Sequence, residues 1–352
     1  MTTRVAILGT GFWARYAHLP ALRHLPDVAL VACVGRTIDR ARAFAAAEGI
    51  PAAYPSLEAL LASPERPDLL VIAAPDDVHP AATTAALDAG VTVFCEKPLA
   101  NDARTALALA AHARGAGLPA TVGYSFRYGP AIQALRADVR GGVLGEPWLV
   151  ELFEYNAQFH PSTGKPMNWK GDPAHAAAGA LYEYGSHVVD LAGWLVGPIR
   201  EVSASLTRVL PGARLDDIAT LQFRFAEPAI GILVAGWVLS GSIPGIRIRL
   251  HGSEGLGEVE MSATVPGGQA YRRMALDGSI REEVALEPLS DPACGYASRH
   301  LADLVAIARG APPRYPDTLP TLDDGARVQV VLEAALSATE RWATVGGAAV
   351  PG

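Results

Sequence analysis

Three stretches carry residues able to do chemistry. The first is Phe94-Cys95-Glu96-Lys97-Pro98-Leu99, where a β-rich run from Val91 to Cys95 stops at an acid, a base and a proline. A proline disfavours helical backbone angles at the residue before it, and X-Pro bonds are where cis peptides occur. Glu96 and Lys97 are therefore expected at the carboxyl end of a strand, at a sharply shaped corner. In an open α/β sheet that edge is where ligands bind. The second stretch is a helix expected over Leu181–Leu195, with Glu183, His187 and Asp190 at i, i+4 and i+7 on one face. A carboxylate one turn from a histidine can fix its tautomer and raise its basicity. No metal is expected there, because the spacing is a weak metal signature and no cysteine joins it.

The third stretch is Gly9-Thr10-Gly11-Phe12-Trp13-Ala14, directly after the apolar run Arg4–Leu8 and opening a helix expected to about Leu25. This is G-x-G-x-x-A in the order strand, turn, helix. Gly9 permits the tight turn, Gly11 lets the backbone approach a pyrophosphate, and Ala14 keeps the helix close to the sheet. The helix N-terminus supplies free N–H groups for phosphates. A site that prefers NAD carries Asp or Glu at the end of the next strand to hold the ribose 2′-OH. Here Val28–Val34 ends in Gly35-Arg36-Thr37. A guanidinium and a hydroxyl suit a 2′-phosphate, so NADP is the expected cofactor, with NAD the alternative.

These groups need a scaffold to position them. After Arg36 the chain alternates: a helix from Ile38 to Glu48 stopped by Gly49, the buried-strand run Asp68–Ala74 closed by Pro75-Asp76-Asp77-Val78-His79-Pro80, and a helix to Gly90. The Val91–Cys95 strand follows, then a helix N-capped by Asn101 and the short strand Ala120–Gly123. Strand–helix alternation with turn signals implies a doubly wound parallel sheet wrapped on both faces. From Ser125 the alternation stops. A helix is expected over Pro130–Arg140 and a half-wet strand over Pro147–Tyr155, followed by a long polar excursion from Asn156 to Gly179. Such a loop suits a wall of a pocket. Beyond Val196, strand-like runs at Val202–Val209, Ile218–Phe225, Gly231–Leu239, Ile246–His251, Gly257–Met261, Gln269–Ala275 and Arg281–Glu287 read as an antiparallel meander. Helices are expected over Tyr296–Ala308 and Asp323–Trp342. Gly185, inside the key helix, admits either a ligand or close helix–sheet packing.

Length and composition agree with two domains. The chain has 352 residues, half of them hydrophobic, and a net charge of −7, which gives no electrostatic reason to expect a nucleic-acid partner. No apolar run reaches membrane-spanning length. Cys33, Cys95 and Cys294 are few, odd in number and widely spaced, as in a reduced, cytoplasmic protein. With a strand starting by about Arg4, no signal peptide is expected.

Taken together, Gly9-x-Gly11-x-x-Ala14, Pro75-Asp76-x-x-His79, Cys95-Glu96-Lys97-Pro98, Gly123-Tyr124-x-x-Arg127, Trp169-Lys170-x-Asp172-Pro173 and Glu183-x-Gly185-Ser186-His187-x-x-Asp190 resemble the Gfo/Idh/MocA oxidoreductases over nearly the whole chain. The resemblance implies an N-terminal Rossmann domain, residues 1–123, and a C-terminal α+β domain, residues 124–352, with a large, mostly antiparallel sheet that often forms a homodimer or homotetramer interface. It implies hydride transfer between a nicotinamide cofactor and a secondary alcohol or ketone of a sugar or cyclitol. Lys97 would touch substrate and nicotinamide, His187 would be the acid–base, and Glu183 stands where the family usually has aspartate. Cofactor contacts are implied at Gly9, Gly11, Phe12, Trp13, Ala14, Arg36, Thr37, Ala74, Pro75, Asp76, His79, Glu96, Lys97 and Arg127. Substrate contacts are implied at Tyr124, Trp169, Lys170, Asp172 and Tyr184, with Tyr182 a further pocket wall. On chemical grounds, burial should lower the Lys97 pKa toward a useful range. The alternatives are a cofactor-retaining glycosidase-type enzyme and a non-catalytic cofactor sensor.

Overall fold

The computed structural model describes residues 2–241, 245–289 and 295–339. The first sheet contains β1 Thr3–Leu8, β2 Val28–Val34, β3 Ala52–Tyr54, β4 Leu69–Ile72, β5 Thr92–Cys95 and β6 Ala120–Val122. All its pairs are parallel, in the order β3-β2-β1-β4-β5-β6. The strand order reverses beside β1, so the carboxyl ends of β1 and β4 frame a crevice of the kind that binds dinucleotides. Every residue of β4 and β5 is buried, as expected of strands covered on both faces.

The helices of this half are α1 Leu19–Arg23, preceded by a π-helical turn Ala14–His18, then α2 Ile38–Glu48, α3 Leu57–Leu61, α4 His79–Asp88 and α5 Ala103–Ala116. Thr37 caps α2, accepting from the Arg40 N–H, and Gly49 ends it at φ 65°. The cap of α5 is Asp102, not Asn101: the Asp102 carboxylate accepts from the Thr105 N–H at 2.7 Å. Asn101 instead donates to the His175 carbonyl in the long loop.

After α6, Pro130–Arg140, the second sheet begins with β7 Pro147–Tyr155. The key helix follows as a π-turn Leu181–Gly185 running into α7, Ser186–Leu195. The remaining strands are β8 Ile199–Thr207, β9 Ile218–Phe225, β10 Ile230–Gly236, β11 Gly245–Gly252, β12 Leu256–Ser262, β13 Gln269–Met274 and β14 Ile280–Glu283. The sheet order is β14-β13-β12-β11-β7-β10-β9-β8. It is mostly antiparallel, but the expected meander is interrupted: β7 lies between β10 and β11 and runs parallel to β10. No local turn signal betrays that insertion, because it is a pairing made over about 75 residues of intervening chain.

Two closing helices, α8 Gly295–Ala308 and α9 Leu322–Ser337, return to the first sheet. Leu301 and Leu304 join the core formed by Val5, Ile7 and Phe94. Thr321 and Asp324 form a capping box at the start of α9, and Thr121 bridges to Thr321. Arg127 ties the halves further. Its guanidinium forks onto Asp190 of α7 at 2.8 and 2.5 Å and reaches Asp324 of α9 at 3.4 Å. Both Arg127 and Asp190 are buried. Removing one partner of such a pair strands the other charge away from water. Asp190→Ala is therefore expected to lose about 3–5 kcal/mol, read as a drop in the denaturant midpoint; an unchanged midpoint would contradict it.

Candidate active site

Lys97 stands at the carboxyl end of β5, the Lys97–Pro98 bond being cis. Its side chain crosses to the second half of the molecule. The ammonium donates to the Glu183 carbonyl at 2.8 Å and to its carboxylate at 3.1 Å. The other oxygen of Glu183 accepts from Lys170, reaching in from the long loop. Burial would raise the Glu183 carboxyl, but Lys170 and Lys97 outweigh it and hold it at about 2. Burial likewise works against the Lys97 ammonium, yet Glu183, Glu96 and Asp76 outweigh it and its pKa moves up. The expected lowering of Lys97 is thus reversed. A buried lysine loses its proton only when unpaired, and this one is ringed by carboxylates.

Glu96 is fixed beneath that lysine. One oxygen lies 2.8 Å from His18 Nε2, and the other accepts from the Lys97 N–H at 3.1 Å. Burial opposes ionisation of Glu96, but His18 and Lys97 prevail and its pKa is lowered. A Cβ at Gly123 would come within 2.9 Å of the Glu96 carboxylate, so a glycine is required under it. His18 was not among the expected site residues. The signal was present: a histidine four residues beyond Ala14 of the glycine motif.

His187 sits one turn beyond Glu183, packed by Phe126 at 4.6 Å and by the edge of Tyr124 at 6.0 Å between ring centroids. No hydrogen bond joins it to a carboxylate among the described residues. Glu183 faces the two lysines, Asp190 is held by Arg127, and His187 Nδ1 is buried without a partner. The expected gain in basicity is therefore overturned. Burial first, then the Lys97 charge, pushes His187 well below the ordinary histidine range. Asp76, at the end of β4, is buried and pushed up to about 7, mainly by burial, with Glu183 adding to it and Lys97 and Lys170 opposing it.

The other expected residues divide. Gly9 adopts φ 120°, and a Cβ there would strike the Ala73 carbonyl at 2.1 Å, whereas a Cβ at Gly11 would meet nothing within 4 Å. The turn is thus closed toward β4 and open over Gly11, next to Ala74 and Pro75. Phe12 and Trp13 are partly solvent-facing and stack with Tyr16. Arg36 and Thr37 are exposed at the end of β2, which touches the turn through Gly9 N–H to Val34 carbonyl at 2.9 Å. Lys170 and Trp169 join the Glu183 side, with the Lys170 ammonium 5.8 Å from the Trp169 ring centre.

Several expected contacts point elsewhere. Both ring nitrogens of His79 face backbone carbonyls, Pro98 at 2.7 Å and Ala74 at 3.0 Å, so the ring staples the two strand ends together. Arg127 is committed to Asp190 and Asp324. Asp172 faces Arg214 and caps its own turn. Tyr182 accepts from Gln329 of α9, while Tyr184 donates to Gln158 at the start of the loop. A Cβ on Gly185 would lie 3.0 Å from Leu181 and 3.8 Å from Ala235 of β10, which is the packing alternative. Cys33 and Cys95 are free and buried; Cys294 lies outside the described residues. Among those residues no helix is long and apolar enough to cross a membrane.

A Rossmann crevice with a lysine at its edge and a histidine facing it from a helix beside a second sheet defines a two-domain dinucleotide-binding class. The family of oxidoreductases with this NAD-binding Rossmann fold matches residues 3–124, and the Gfo/Idh/MocA C-terminal domain matches residues 132–258. The chain belongs to the Gfo/Idh/MocA family. It is 31% identical over 253 residues to D-apiose dehydrogenase of Paraburkholderia graminis, covering 71% of this chain and 65% of that one. It is 28% identical over 348 residues to inositol 2-dehydrogenase 1 of Saccharopolyspora erythraea, covering 97% and 95%. The crystal structure of aldose-aldose oxidoreductase from Caulobacter crescentus, complexed with glycerol, superposes with a TM-score of 0.80 at 25% identity over 96% of this chain and 97% of that one. For the first curated relatives the matched segment spans 54% to 65% of their own length.

The histidines give a pH signature. His187 and His300 are both held well below the usual range by burial, with Lys97 adding to it at His187 and Arg127 at His300. Below about pH 6.5 the unfolded chain binds protons there that the native chain refuses. Each of these two histidines then takes stability away as the pH falls, by up to about 1.4 kcal/mol per pH unit. His187→Asn removes one such proton, so its stability should fall less steeply between about pH 6.5 and 5 in denaturant titrations. Parallel slopes for variant and wild type would contradict this.

Proposed function

We propose that this protein is an NADP(H)-dependent dehydrogenase that interconverts a secondary alcohol and a ketone on a sugar or cyclitol. The observation that carries the reading is the Lys97 ammonium, fixed at the β5 end by Glu183 of the other half, with neutral His187 one turn away. The relatives named for apiose, inositol and aldoses support the substrate class.

The residues fit the cofactor. The open approach over Gly11, the closed turn at Gly9 and the polar ends of β4 and β5 form a crevice with room above the backbone. Gly9, Gly11, Ala14, Ala74, Pro75, Asp76 and Glu96 would hold a dinucleotide, which when bound accepts or donates the hydride. Arg36 and Arg40 are exposed, and neither side chain has a partner among the described residues. No carboxylate ends β2. That pair supports recognition of a 2′-phosphate.

The chain's own chemistry follows from its charges. Lys97 donates a hydrogen bond to the reacting oxygen and stabilises negative charge that develops there. Glu183 keeps that lysine cationic, and Lys170 neutralises the outer oxygen of Glu183. His187, uncharged near neutral pH, accepts the hydroxyl proton during oxidation. The imidazolium so formed lies beside an ammonium and gives its proton up readily.

A panel of aldoses, ketoses and inositols assayed by nicotinamide absorbance tests the reading. Lys97→Met and His187→Asn should each lower kcat by a factor of about 10²–10⁴ while the fold survives. Turnover near the wild-type value in either variant would remove that residue's role. The kcat/KM should favour NADP⁺ over NAD⁺, and Arg36→Ala should erase roughly tenfold or more of that preference. A wild-type preference for NAD⁺ would overturn the cofactor assignment.

A further inference from the structure

Along β7 the inward positions are Val150, Leu152 and Glu154, all buried. Two are apolar, as the inner face of a sheet requires; the third is a carboxyl. Its cross-strand neighbours are Ala235 of β10 and Ile246 of β11, both buried. Only 4% of Glu154 is exposed, and its Oε2 is enclosed with no hydrogen-bond partner. Lys97 does not satisfy it, because that ammonium is bonded to Glu183. A lone carboxyl in such a place costs the fold several kcal/mol as an anion, so the site favours its protonated form. Burial pushes its pKa well above the carboxylate range, Glu183 adds to the rise, and Lys97 opposes it. Its neighbour Ala235 lies 3.8 Å from where a Cβ on Gly185 would stand, and the Tyr184 hydroxyl meets Asn156 just past β7, so Glu154 lies on the sheet face packed against the π-turn that carries Glu183.

We propose that Glu154 is a substrate-holding residue whose carboxyl takes one hydroxyl of a polyhydroxylated substrate, beside the carbinol that Lys97 and His187 address. The proposal rests on the dehydrogenase reading for the identity of that carbinol. It defines the substrate as a polyol in which a second hydroxyl lies close to the reacting one. A neutral carboxyl offers both a donor and an acceptor, and a site built to bond a hydroxyl rejects the analogue that lacks it. Leucine would fill the same volume without the unsatisfied group, so selection for stability alone would remove Glu154.

The test compares wild type, Glu154→Leu and Glu154→Gln, each saturated with the dinucleotide the wild type prefers. The probes are the sugar or inositol turned over fastest in the panel and its monodeoxy analogues. E154L should melt at a higher temperature than wild type, raise KM for the parent polyol at least tenfold, and lower kcat far less. For one deoxy analogue, wild type and E154L should share the same KM. Glutamine keeps a donor and an acceptor in nearly the same shape, so E154Q should recover most of the parent KM. An E154L protein that keeps the parent KM and the full discrimination against every deoxy analogue would overturn the proposal. The same series is read by the melting-temperature shift each polyol gives the cofactor-loaded protein. Selective shifts that E154L abolishes, without turnover, would sink the dehydrogenase reading and leave Glu154 as a polyol ligand. Shifts indifferent to E154L would overturn Glu154 alone.

Discussion

The molecule depends on one buried ammonium. Lys97 belongs to the first sheet, and both groups that hold it belong to a single residue of the second half, Glu183. A lone lysine at that depth would shed its proton. Surrounded by Glu183, Glu96 and Asp76 it keeps the proton, and its retained charge then sets the state of its neighbours. It keeps Glu183 ionised together with Lys170, and it drives His187 toward the neutral form. The neutral imidazole and the fixed cation are thereby separated by electrostatics, although both are buried in one site. Pairs of titratable groups whose surroundings push them apart are how acid and base roles are divided in enzymes.

A second set of buried charges does a different job. Arg127, Asp190 and Asp324 are as deeply placed as the Lys97 cluster, yet they close upon one another and join α7, α9 and the turn at 125–128. His79 plays a similar part with backbone carbonyls at the ends of β4 and β5. Around Lys97, by contrast, His187 Nδ1 and Glu154 Oε2 are left without partners.

This division explains what could be read from the chain alone. The glycine turn, the strand ends at Pro75 and Glu96, and the placement of Glu183 and His187 on one helix were legible, because each is fixed by local backbone rules or by 3.6-residue periodicity. The partners were not. Asp190 lies one turn from His187 in sequence, but a guanidinium 63 residues upstream captures it. The direction of the Lys97 shift depended on three carboxylates, two just past β4 and β5 and one in the π-turn, so burial alone gave the wrong sign. Asp102 displaced Asn101 as a cap through a choice between adjacent, chemically similar residues. The insertion of β7 beside β10 has no local signature at all. Glu154 was visible as a carboxyl in phase with Val150 and Leu152, but only the folded sheet shows that nothing answers it.

The electrostatic coupling of Lys97 to His187 is the centre of the account, and it can be observed without substrate. Nuclear magnetic resonance of the protein with labelled histidine side chains follows the His187 imidazole through a pH titration, in wild type and in Lys97→Met. The wild-type ring should remain neutral well below the ordinary histidine range, about pH 6.5. Removal of the ammonium should move its titration upward. A wild-type His187 that titrates near or above that range, or one whose titration is indifferent to Lys97, would contradict the assignment of fixed cation and neutral base.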